Sequence, residues 1–74
     1  MTIIDEANLD IIYARTKFFL WFQRHREGDE GWLTVADIIA DFSQPPPKGA
    51  VALALLNIEA GGELERCGDR VRHT

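Results

Sequence analysis

Apolar residues recur at helical spacing over most of the chain and give way to short charged-apolar runs at its end. From about Glu6 to Arg26, the residues Leu9, Ile12, Tyr13, Thr16, Phe19, Leu20 and Gln23 fall on one side of a helix. That side is the expected core stripe. Asp5 is placed to cap this helix, with acids in its opening turn. Arg24, His25 and Arg26 suit the negative end of its dipole. A second apolar strip, Ile11, Phe18 and Phe22, lies round the cylinder, with Ala14 and Trp21 further still. A small domain cannot bury every side of one helix, so either Met1 to Ile4 folds back over it or another subunit covers it. Trp21 is accordingly expected at a domain edge or in a subunit contact.

Glu27 to Gly31 reads as a polar loop and Trp32-Leu33 as a short strand, with Trp32 turned to the core. Thr34 and Asp37 have the spacing of a capping box for a second helix, Val35 to Phe42, whose inward side is Ile38, Ile39 and Phe42. The tract Ser43-Gln44-Pro45-Pro46-Pro47 ends that helix, because proline disfavours helical geometry in the residue before it. Its last proline suits the first turn of a third helix, Pro47 to Ala60. A proline-rich ligand for an SH3-type domain is the other reading of the tract, and a position between two helices favours the linker. In the third helix Val51, Ala54, Leu55 and Ile58 form the inward side, and Gly61 or Gly62 supplies a left-handed stop. Leu64 and Cys67 are expected in a half-buried strand, Gly68-Asp69 forms a tight turn, and Arg70 to His73 returns.

The order is helix, short strand, helix, turn, helix, two-stranded ribbon, and it runs to the last residue. With it goes the stretch Leu55 to Arg66, LLNIEAGGELER. Together they resemble the winged helix-turn-helix superfamily and its small single-domain regulators from bacteria and their phages. The resemblance implies one α+β domain over residues 1–74, mainly helical, with three helices and a small C-terminal β-wing. It also implies a DNA-binding regulator with the third helix in the major groove and the wing on the phosphate backbone. Carried over by position, Lys48 and Asn57 would approach the groove, and Arg66, Arg70, Arg72 and His73 would hold phosphates.

The outward side of the third helix departs from that pattern. Reading base edges calls for Arg, Lys, Asn or Gln, yet Leu53 and Leu56 stand there with Ala52 and Ala60. The alternative is a winged-helix module that binds a host protein through Leu53 and Leu56, as inhibitors and adaptors of phage type do. In either case Ile11, Phe18 and Trp21 are candidates for joining two copies through the first helix.

Charge sharpens the choice only slightly. The net charge is −4. Residues 1–43 hold eight acids against four bases, whereas residues 44–74 hold four of each, with arginines gathered at the end. At 74 residues the chain is near the size at which one core only just suffices. No apolar run reaches the length of a membrane span, and the first residues lack a signal-peptide pattern. One cysteine, Cys67, excludes an internal disulfide and suits a reducing cytoplasm.

Catalytic chemistry is not expected. His25, His73 and Cys67 lack zinc-ligand spacing, and Cys67 has no evident histidine partner. Gly61-Gly62 ends a helix, whereas phosphate-cradling loops precede one. Asp29-Glu30 belongs to a solvated loop. No metal or cofactor is expected either.

Overall fold

A computed structural model describes residues 8–74. Its elements are α1 (Leu9–Glu27), a 3-10 turn (Gly28–Glu30), β1 (Leu33–Thr34), α2 (Val35–Ala40), α3 (Ala50–Ala60), β2 (Leu64–Cys67) and β3 (Arg70–His73). The fold is α+β and mainly helical, with three helices and a three-stranded antiparallel sheet in the order β1-β3-β2.

Asn8 caps α1 by accepting the backbone N–H of Asp10 at 2.9 Å. The expected start at Glu6, the cap at Asp5 and the covering segment Met1 to Ile4 lie outside the described residues. On the inward stripe Ile12, Thr16 and Leu20 are fully buried, with Tyr13, Phe19 and Gln23 half-buried. Leu9, at the N-terminal end of the stripe, is exposed instead. The hydroxyl of Thr16 has no hydrogen-bond partner among the described residues.

α2 is shorter than the sequence suggests, ending at Ala40 rather than Phe42. Its capping box forms as expected. Thr34 Oγ1 accepts the Asp37 N–H at 3.2 Å and Asp37 Oδ2 accepts the Thr34 N–H at 3.0 Å. Ile38 and Phe42, four residues apart, point inward. Ile39 is turned roughly 100° away on a helix of 3.6 residues per turn, and is exposed. The strand before α2 is Leu33–Thr34, one residue later than expected, and Trp32 is only half-buried.

α3 begins at Ala50, not at Pro47. The Pro47 carbonyl accepts the Ala50 N–H at 3.0 Å across a turn in which Gly49 takes φ +81°. A left-handed residue there interrupts any helix coming from the proline, so the helix starts afresh beyond it. At the other end Gly62, at φ +75°, closes a Schellman motif. Its N–H reaches Glu59 O at 2.9 Å and the Glu63 N–H reaches Ile58 O at 3.2 Å. Ala50, Val51, Ala54, Leu55 and Ile58 are buried and pack chiefly against α1.

β3 is the central strand. It pairs with β1 through Leu33↔Val71 and Thr34↔Arg70, and with β2 through Leu64↔His73 to Cys67↔Arg70. Gly68 at φ +62° and Asp69 make the two-residue connection, the arrangement of a type II′ turn. Leu64 and Val71 close the core from this side. Cys67, expected half-buried, is exposed because it sits beside the turn, beyond the reach of the helices.

Candidate functional site

Two kinds of surface bear on function, the charged ribbon and the apolar helix faces. Strand alternation divides the ribbon's basic groups. Arg66 and His73 share the sheet face that carries Leu64 and Val71, whereas Arg70 and Arg72 share the opposite face. The four expected phosphate contacts therefore do not converge on one patch.

Three of the four are also occupied. Arg66 Nε bonds Glu59 Oε2 of α3 at 2.9 Å. Arg72, with only 16% of its side chain exposed, holds Glu65 Oε2 at 2.6 Å and donates to the Asp29 carbonyl at 2.7 Å. Its guanidinium also lies 4.3 Å from the centre of the Trp32 ring, so one face is stacked while its edge is hydrogen-bonded. His73 Nε2 stands 3.4 Å from Glu63 Oε2. Arg70 is exposed and has no ion pair among the described residues, although its charge is felt by Asp37. The Asp37 carboxyl is held below its usual value first by the Thr34 backbone bond, then by the Thr34 hydroxyl and by Arg70.

Glu63 forms a second charged cluster that the sequence did not announce. Its carboxylate takes Lys17 Nζ of α1 at 2.8 Å as well as His73. The bond from Lys17 is the main cause of the lowered Glu63 pKa, and the same bond raises that of Lys17. Lys17 and Glu63 are 46 residues apart, so no local spacing reveals the pair.

The expected groove residues are exposed. Lys48 sits in the turn before α3 rather than on it, and Asn57 lies on the outward side of the helix. From Ala50, where the helix begins, to Asn57 is about 10 Å of helix rise, and Lys48 lies two residues before that start. Between them Leu53 and Leu56 are 45% and 56% exposed, flanked by Ala52 and Ala60. This outward side has no basic group.

α1 carries the other apolar surface. Phe18 is 64% exposed and Trp21 48%, with ring centroids 6.2 Å apart. Phe22 stacks on Phe18 at 6.2 Å and His25 on Trp21 at 5.3 Å. Ile11, expected with them, is half-buried. A groove of about 450 Å³ runs beside this ridge, lined by Tyr13, Ala14, Lys17, Phe18, Trp21, Glu63 and His73.

Among the described residues no group of three His, Cys, Asp or Glu is placed to hold a metal ion. No described helix is long and apolar enough to cross a membrane. Comparison of the chain with family models, curated proteins and solved structures gives no match.

Proposed function

We propose that the chain is a winged-helix module that binds a protein rather than reading DNA, with the outward side of α3 as its docking face. The winged-helix reading is supported by the order of elements and by the pairing of β1 with the returning strand of the ribbon. The protein-binding reading rests on one observation above all. The helix face that a DNA-binding member would lay in the groove presents Leu53 and Leu56, both exposed, with Asn57 beside them and no basic group on the helix. Such a face gains from meeting an apolar partner and loses hydration without return against base edges. The ion pairs of Arg66 and Arg72 point the same way, since each must be broken before its guanidinium can displace counterions from a phosphate. The partner is a protein with an apolar cleft that admits one helix face. No catalytic step belongs to this reading, and the exposed thiol of Cys67 suits the reducing cytoplasm.

A second reading is favoured by Arg70 and Lys48, which are exposed and outside any ion pair among the described residues. It is a DNA-binding regulator held by phosphate contacts alone. The two separate in one pair of measurements. Titration with mixed-sequence duplex at low and high salt should give no salt-sensitive complex. A protein captured from extract and identified should be lost with Leu53→Asp plus Leu56→Asp and kept with Lys48→Ala plus Arg70→Ala. Duplex binding that weakens steeply with salt and disappears with Lys48→Ala plus Arg70→Ala would replace the first reading with the second.

A further inference from the structure

The outward side of α1 has a periodicity of its own, separate from the docking face on α3. Ile11, Ala14, Phe18, Trp21 and His25 recur at alternating steps of three and four, the seven-residue repeat of a helix that runs beside another. The buried residues Ile12, Thr16 and Leu20 lie on the other side of the same cylinder. One stripe is thus spent on the core, and no helix among the described residues packs on the second.

We propose that α1 pairs with α1 of a second copy of this chain, side by side and in the same direction, with Phe18 of each copy seated in the groove of the other. In side-by-side packing a seam residue enters a hole made by four residues of the facing helix. For Phe18 in a parallel pair those four are Ala14, Lys17, Phe18 and Trp21. All four line the 450 Å³ groove. Glu63 draws the Lys17 ammonium back toward the ribbon, which leaves the mouth of this hole apolar. One copy therefore presents both the knob and the cavity that fits it, as a two-fold interface requires.

The cations beside the seam are already paired within each copy, Arg15 with Asp41, Lys17 with Glu63 and Arg24 with Asp29, so the fit of knob and hole decides the pairing. Asp10, Lys17 and Arg24 flank the seam on one side, and Arg15 and Phe22 on the other. Parallel pairing lays the Lys17 stem along Phe22 of the second copy. Both helices are already folded, so association need not supply the ordering that defeats short isolated helices. From Ile11 to His25 the seam spans about 21 Å of helix rise. So short a contact predicts a weak dimer whose population depends on concentration.

Sedimentation equilibrium of the whole chain from about 1 to 300 µM should show the mass rising from one copy to two. Phe18→Glu should keep the mass at one copy throughout while circular dichroism stays unchanged, because that side chain lies outside the core. In a Cys67→Ser background, Ala14→Cys should give a covalent dimer on oxidation, and Ala52→Cys on α3 should not. A monomer at every concentration overturns the proposal, as does a dimer that survives Phe18→Glu. Cross-linking through Ala52→Cys in place of Ala14→Cys also overturns it, and moves self-association to α3. None of these results depends on whether α3 docks a protein or DNA.

Discussion

Helices α1 and α3 are joined through side chains that leave water almost completely, whereas β2 and β3 are tied to them partly through charged groups that stay wet. Ile12, Leu20, Leu55 and Ile58 are each at most 1% exposed. The ribbon contributes Leu64 and Val71 to that core, but its ties to the helices also include Arg66–Glu59 and the bond of Lys17 to Glu63 at the foot of β2. Apolar burial scales with area and is insensitive to salt, while exposed ion pairs are screened and worth less than about 1 kcal/mol each. The two halves should therefore respond to different perturbations. The helical pair sets the stability, and the charged ties set how the ribbon sits on it.

The largest test removes core volume. Leu55→Ala should lower the unfolding free energy by about 3 kcal/mol in urea titration, through lost burial and the cavity left behind. Arg66→Ala, which cuts one tie of the ribbon, should cost less than about 1 kcal/mol. Equal costs for the two would erase the distinction drawn here. Gly31→Ala comes next. A methyl group there would meet Gln23 O at 2.9 Å and Arg24 Cα at 3.0 Å, both backbone atoms of α1 that cannot swing aside. About 2 kcal/mol should be lost, as for other overpacked sites. Thr34→Ala is smaller. Loss of the α2 cap should cost about 1 kcal/mol with the fold retained.

These sites differ in how far the sequence reveals them. The Thr34–Asp37 box, the inward set on α3 and the left-handed stop after it depend on neighbours within four or five residues, and each is legible from spacing. Gly31 is not, because its need for a bare Cα arises where the chain after α1 doubles back against that helix. The start of α3 misleads for a related reason. Pro47 is chemically suited to a first turn, but the φ of Gly49 decides where the helix begins, and composition alone does not disclose it. Ile39 and Leu9 are apolar at positions on a short helix and at a helix end that the other described residues leave uncovered. On the candidate surfaces, the exposure of Leu53, Leu56, Phe18 and Trp21 follows from helical spacing. The capture of Arg72 by Glu65, Asp29 and Trp32 does not, since Asp29 is 43 residues away in the chain. Basic residues at the end of the chain look available for phosphate until the register of the ribbon places acids against them.

The smallest effect is the one that isolates a charged tie. Glu63 titrates below its usual value in the folded chain, chiefly because Lys17 bonds it, and Lys17 titrates above its own. A carboxylate with a lowered folded pKa contributes stability that is complete above the unfolded value and is lost as pH falls through the folded one. A raised lysine contributes stability that is complete below its unfolded value and is lost as pH rises through the folded one. The pair therefore supports the ribbon across the neutral plateau and fails at both ends, below the ordinary carboxylate range and above the ordinary lysine range. Glu63→Gln removes the charge while keeping the side chain's length, and should flatten both limbs of the stability-versus-pH curve. The acid limb should retain a slope from Asp37, whose bonds to Thr34 are untouched. If both limbs keep their wild-type slopes, the Lys17–Glu63 contact contributes nothing in solution. The ribbon would then be held by Leu64, Val71, the strand pairing and the contacts of Arg66 and Arg72.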